Sequence, residues 1–313
     1  MRSRNVPAPL GPDSLTWKYF GGWRGMLFGP WAGSMQNMHP GLGAAVEEHS
    51  QFFDERWERL YRSLYPIYGV VFDGDRAPDT ARQVRGYHDT VKGVDSRGRS
   101  YHALDPDTFY WAHATFFYSL VMSVEWFDGP LTLADKHRLF DEHVQWYRLY
   151  GMPMRSVPES WEDFLDYWDH MCRNVLEDNK ATRDVLDLTH LDRPPFLRWL
   201  PAPVWHLVRP VATRGFLWLT VGLYDQPVRD LLGLSWSRPE QHVHRAVGRA
   251  IGLGTRLVPR RYRYHPRARA GWDRASGRIR AGAPIVHTPA RNLPPRDRRD
   301  SPMHYSPDVA PRR

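Results

Sequence analysis

From about residue 15 to residue 187 the apolar positions of this chain recur at spacings of three and four, and the two-residue alternation of half-buried strands is essentially absent. That periodicity predicts helices over 54–72, 78–92, 106–127, 132–150, 159–178 and 180–187. Residues 15–37 keep helical spacing but carry Gly21, Gly22, Gly25, Gly29 and Gly33 together with Pro30, which predicts a broken or closely packed helix. Small residues there would let another backbone or a flat cofactor come near. His39-Pro40 ends this stretch, and 41–50 begins the next helix. The fold class expected is all-α: a flexible N-terminus over 1–14, one multi-helix globular domain over 15–255, and a disordered Arg/Pro-rich basic tail over 256–313.

Two of these helices carry clear punctuation. In 106–127, Asp105 serves as N-cap and Pro106 takes the first helical position, where a missing N–H costs nothing. Near the middle of that helix stands His113, with Phe109, Tyr110, Phe116, Phe117 and Leu120 three, four or seven positions away. A neutral imidazole in such surroundings needs a hydrogen-bond partner or a metal for its ring nitrogens, because an unpaired buried polar group costs about 1–3 kcal/mol. A hydrogen-bonded core histidine and a metal or haem ligand are the two readings of His113. In 132–150, Thr132 caps, Leu139, Val144, Trp146 and Tyr147 form the buried side, and Gly151 closes.

Residues 196–223 are strongly apolar, yet Pro201, Pro203, Pro210 and several arginines interrupt the roughly 20 apolar residues that a spanning helix needs. Two readings stand for this run: buried helices flanking a substrate channel, or a face resting in a membrane interface that admits an apolar substrate.

Charge changes the picture only once it is located. Residues 260–313 hold 14 arginines, no lysine and 4 aspartates, whereas the remainder holds 29 basic and 31 acidic residues, so the net +8 belongs to the tail. Nucleic acid is not the first choice of partner. A solubilising or non-functional extension is the preferred reading of the tail, with contact to an anionic membrane surface as the alternative. With 14 tryptophans in 313 residues there is ample bulky apolar surface for a large core with an internal pocket. The single cysteine, Cys172, excludes an internal disulfide and a thiolate cluster, which makes a cytoplasmic setting the default. The first 20 residues contain no continuous hydrophobic run of the secretory type.

Several catalytic signatures fail. HExxH, paired CxxC and the ExxH of di-iron bundles are absent, as are G-x-S-x-G and the P-loop. "GLGAAV" at 41–46 lacks the last glycine of a dinucleotide fingerprint and has no preceding strand.

An ordered series of segments carries more. "GWRGMLFGPWAGSMQNMHPGLGAAVE" at 22–47, "EHSQF" at 48–52, "TARQVRGYHDTVKG" at 80–93, "YWAHA" at 110–114 and "YGMPMRSVPESWEDFLDYW" at 150–168 resemble the catalytic domain shared by fungal MpaB-type oxygenases and bacterial latex-clearing rubber oxygenases. The resemblance covers about residues 15–255, and the order of the segments carries it rather than one short motif. It implies an all-α enzyme that binds b-type haem through a histidine and uses dioxygen to cleave carbon–carbon double bonds of an apolar polymer. The matching histidine is His113, as iron ligand. The helix across the haem corresponds to 80–93, which puts His88 and Arg85 in catalytic roles, and the presence of His88 departs from the rubber-cleaving pattern. Arg82, Arg24 and Phe117 are the expected cofactor-binding partners, the arginines because their fork suits a propionate.

The expectation is therefore a haem-b oxygenase with dioxygen as co-substrate, acting on an apolar isoprenoid- or lipid-like small molecule or polymer. The alternative is a cofactor-free helical protein that binds a lipid-like ligand, with peripheral membrane contact open in either case.

Overall fold

In the computed structural model, which describes residues 7–49 and 56–293, the chain builds fourteen α-helices and one small hairpin around a single aromatic-rich core. Three short helices come first: α1 (Leu15–Tyr19), α2 (Gly29–Asn37) and α3 (Pro40–His49). A 3₁₀ turn over Trp23–Phe28 separates α1 from α2, so the glycine-rich stretch is broken as its composition predicts. Next are α4 (Arg56–Phe72) and α5 (Ala77–Gly86), then the hairpin β1 (Lys92–Val94) and β2 (Ser100–His102). The long central helix α6 (Pro106–Phe127) is followed by α7 (Leu133–Arg148), α8 (Trp161–His170) and α9 (Lys180–Leu186). The chain then runs through α10 (Ala202–Leu223), α11 (Gln226–Leu232), α12 (Arg238–Leu257), α13 (Arg260–Arg263) and α14 (Pro266–Ala275).

Helix α6 is the axis of the fold because it is apolar on nearly every side, the pattern of a helix enclosed by others. Its start is fixed as its sequence predicts: the Asp105 carboxylate accepts from the backbone N–H groups of Asp107 (3.0 Å) and Thr108 (3.2 Å). Thr132 caps α7 by accepting from Asp135 N–H at 3.1 Å. A buried carboxylate of α7 then caps a different helix: Glu142 accepts from Leu15 N–H (2.9 Å) and Thr16 N–H (2.7 Å) at the start of α1. This satisfies two otherwise unpaired donors of α1 and docks it against α7. Helix α12 reaches the far end of α6 through Gly248 and Gly252, four residues apart on one face. A Cβ at Gly252 would stand 2.1 Å from the carbonyl oxygen of Phe127, so only glycine permits this approach.

Three expectations need correction. The helix expected over 78–92 ends at Gly86, and residues 92–102 form an antiparallel hairpin in register Lys92↔His102, Gly93↔Tyr101 and Val94↔Ser100. Its turn is set by Asp95, whose carboxylate accepts from Arg97 N–H (2.9 Å) and Arg99 N–H (2.8 Å), with Gly98 at φ +78°. Strands of three residues are too short to show alternation. The helix expected over 159–178 stops at His170, and a five-residue π turn, Met171–Val175, completes it.

The third correction concerns the tail expected from residue 256 onward. Residues 256–293 are placed, and α14 packs along α4, with Arg267, Ala268, Ala270 and Gly271 buried. The rest of the expected tail, 294–313, and the first six residues of the expected N-terminal arm lie outside the described residues. Among the described residues no helix is long and apolar enough to cross a membrane.

Candidate functional site

A cavity of about 1320 Å³ lies between α2, α4, α6 and α10. All five glycines of the 21–33 stretch line it, together with Leu27, Ile67, Phe116, Leu120, Trp205 and Phe216. The absence of side chains on the glycines opens one wall of the space. Ser119 and Ser123 also line it, but each hydroxyl donates to a carbonyl of its own helix, at 2.8 Å to Phe116 and 2.9 Å to Leu120. Thr213 does the same from α10, at 2.8 Å to the Arg209 carbonyl. Hydroxyls used in this way leave an apolar wall. Tyr68 keeps its phenol protonated, because burial pushes its pKa well above the usual tyrosine range. Arg56 and Arg59 supply the positive charge at the start of α4. No carboxylate, histidine or thiol is found among the described lining residues.

The space exceeds the roughly 300–1,000 Å³ of ordinary ligand pockets. It can take a long apolar molecule, or a smaller one beside a second component.

His113 is not among the residues that line this cavity. It is buried on the α7 side of α6, where its ring lies 4.8 Å from Trp146, 5.1 Å from Tyr147, 5.5 Å from His143 and 5.8 Å from Tyr150. Nε2 donates to the backbone carbonyl of His143 at 3.2 Å, and Nδ1 is buried without a partner. Burial depresses the His113 pKa to about 3, so the ring is neutral at physiological pH. His143 is held neutral by burial too, with Tyr110 Oη 3.1 Å from its Nε2. Phe117 stacks on His143 at 4.2 Å and is fully buried.

The remaining expected site residues are dispersed. Arg82 is exposed and pairs with Asp79 one turn back on α5, and Arg85 is exposed with Nη1 donating to the Gly151 carbonyl at 3.3 Å. Neither arginine is part-buried as its expected role requires. His88 follows α5, with Nδ1 2.8 Å from the Val84 carbonyl and its ring edge-on to Phe109 at 5.8 Å. Burial lowers its pKa. Arg24 sits in the 3₁₀ turn, where it pairs with Asp128 and lies 4.8 Å over the Phe127 ring. Phe109 and Tyr150 connect His88 with His113 through ring contacts, but Arg24 and Arg82 belong to neither group.

These placements bear on whether the residues fit a haem. The cavity has the volume, but no imidazole nitrogen is presented to it, and His113 is enclosed by four rings from α7 and its C-terminal turn. A His113-held haem in this cavity does not fit the arrangement. Among the described residues, no group of three or more His, Cys, Asp or Glu side chains is placed to hold a metal ion.

Two features were missed from the sequence. An internal pocket was expected, but not which four helices wall it, although the glycine run marked one wall. Helix α12 carried a signal that could have been used: Ser237 and Glu240 make a reciprocal capping box just before it.

A helical core enclosing an apolar cavity is common to many proteins, so the ordered segments decide the family. The sequence profile described as "ER-bound oxygenase mpaB/B'/Rubber oxygenase, catalytic domain" matches residues 17–253. The chain belongs to this family. Its mpaB/rubber-oxygenase domain thus extends from within α1 to within α12, taking in every wall of the cavity except Tyr262. Two curated relatives, "Uncharacterized protein Mb2261" of Mycobacterium bovis and "Uncharacterized protein Rv2237" of Mycobacterium tuberculosis, are each 25% identical over 174 residues. The alignment covers 56% of this chain and 64% of each relative. No solved structure matches the mpaB/rubber-oxygenase domain significantly.

Proposed function

We propose that this chain is an oxygenase that acts with dioxygen on an apolar, isoprenoid- or lipid-like molecule held in the cavity between α2, α4, α6 and α10. One observation carries the substrate class: a space of about 1320 Å³ lined mainly by apolar side chains, in which Ser119, Ser123 and Thr213 turn their O–H groups into their own helices. A polar substrate would lose its hydration there without replacement, at about 1–3 kcal/mol for each unpaired group, whereas an apolar one gains about 25 cal/mol for each Å² buried.

Haem b is the cofactor that the resemblance implied for this reading, with His113 as ligand. In support stand family membership and the unpartnered Nδ1 of His113; against it stands the packing of that ring away from the cavity. A second reading, a carrier that binds the same class of molecule without oxidising it, is favoured by the lack of acid–base or metal-ligating side chains among the described lining residues.

The experiment separating them uses the full chain purified from iron- and haem-replete cells, incubated with squalene under ¹⁸O₂. Product carrying the heavy isotope supports the oxygenase. Stoichiometric squalene binding with no oxygen uptake supports the carrier, and absence of binding removes both.

A further inference from the structure

Over its N-terminal half helix α10 turns one side to the cavity, and beyond Thr213 its lining widens to include Gly215, Trp218 and Leu219. Trp205, Ala212, Thr213 and Phe216 line the space, while Val204, Leu207, Val208 and Val211 fall at spacings of three and four about a quarter to a third of a turn round the helix. Those four residues face outward, with Leu207 79% and Val211 75% exposed. Just before the helix, Phe196 and Trp199 are 68% and 76% exposed. Phe196 also lines the cavity, as does the largely exposed Tyr262 of α13, and residues that are both lining and exposed mark the mouth. The cavity therefore opens beside an apolar ridge that no other described part of the chain covers.

The segments that carry the ridge and Tyr262, between Asp192 and Asp225 and between Glu240 and Asp273, hold charge of one sign. Residues 193–224, which contain the ridge, hold four arginines and no acidic residue; residues 241–272, which contain Tyr262, hold eight arginines and no acidic residue. Among these, Arg198, Arg214, Arg245, Arg260, Arg261 and Arg269 are exposed. An isologous contact with a second copy of the chain would bring these arginine-bearing segments together, which disfavours self-association through this face. Exposed aliphatic and tryptophan side chains beside arginines, on a helix too interrupted to span, are the features of an element that lies in the plane of an anionic bilayer.

We propose that the outer stripe of α10, with Phe196 and Trp199, docks the mouth of the cavity on the surface of an anionic lipid bilayer. The aliphatic and aromatic side chains enter the boundary between headgroups and acyl chains, and the arginines meet the anionic headgroups. Docking in this orientation lets an apolar molecule pass from the bilayer to the cavity without crossing water. The docking itself stands apart from the oxygenase reading; only the direction of loading rests on it.

The test is flotation of the full chain with vesicles of phosphatidylcholine alone and of an equal mixture of phosphatidylcholine and phosphatidylglycerol. Binding to the mixed vesicles is expected, at least tenfold stronger than to the neutral ones and weakened by added salt. Leu207→Glu with Val211→Glu, both on the exposed stripe, is expected to reduce that binding at least tenfold, with an unchanged circular-dichroism melt. Equal binding to both vesicles, no binding to either, or full binding by the folded double variant would each overturn the proposal. So would a wild-type dimer in sedimentation that the double variant dissolves, since the ridge would then be a subunit contact. Turnover enters none of these readouts, so failure of the oxygenase assay and failure of docking remain distinguishable.

Discussion

Arg267 of α14 clasps Asp73 with two hydrogen bonds across 194 residues of sequence, Nε donating to Oδ1 at 2.9 Å and Nη2 to Oδ2, with both side chains buried. The Asp73 carboxylate also accepts from Thr80 Oγ1 at 2.7 Å, and Gly69 of α4 leaves the room that the guanidinium occupies, since a Cβ there would be 2.3 Å from its Cζ. The pair joins the C-terminal segment to the bend between α4 and α5. Arg267→Ala strands a buried carboxylate and should cost about 3–5 kcal/mol in urea unfolding. Ending the chain at residue 255 should destabilise it at least as much. A truncated protein with an unchanged melting curve would show that α14 is an accessory.

For His113, the packing against α7 predicts a structural effect without a cofactor effect. His113→Ala should lose about 2–5 kcal/mol of stability, as large-to-small core changes do. After incubation with haemin, Soret absorbance per folded molecule should be the same in variant and wild type. A Soret band present only in the wild type would mean that the ring leaves its present surroundings to hold iron.

Acid should weaken this fold before carboxylates begin to titrate. His113 and His265 are buried neutral with pKa values depressed to about 3, and burial lowers that of His143 as well. Since an unfolded histidine titrates near 6.5, the unfolded state binds more protons than the native state below that pH. Their contribution is thus complete above about pH 6.5 and is lost as the pH falls toward 3, by about 1 kcal/mol for each histidine at pH 5.5. Urea midpoints should hold level from pH 7.5 to about 6.5 and decline from there to pH 5. A flat profile would place these imidazoles in contact with solvent.

Bulk added inside the cavity should act on binding alone. Ala212 lines the space from α10 and is otherwise exposed, so Ala212→Trp has room on the cavity side. Affinity for squalene should fall about tenfold, equivalent to about 1.4 kcal/mol, with little change in melting temperature. Unaltered affinity would place the ligand elsewhere.

What could be read from the sequence followed the range of the forces involved. Asp105-Pro106 and Thr132 announced their helices because caps act within three residues, and α6 declared its central place by being apolar on every side. The direction of His113 was hidden because Phe109, Tyr110, Phe116, Phe117 and Leu120 all share its face of a helix that is apolar on its other sides too, so spacing alone does not say which neighbouring helix the imidazole meets. Arg267 was counted as one of many tail arginines because its partner, Asp73, is remote in sequence. The cavity depends on four helices drawn from residues 29 to 223, and only the glycine run betrayed one side of it.

The inward-turned hydroxyls of Ser119, Ser123 and Thr213 bear on a molecule much smaller than any lipid. A space offering water so few partners favours dryness, and dioxygen, itself nonpolar, dissolves more readily in such a medium than in the solvent outside. For the proposed oxygenase, walls suited to an apolar guest would thereby also gather the gas, bringing both reactants into one compartment by solubility alone.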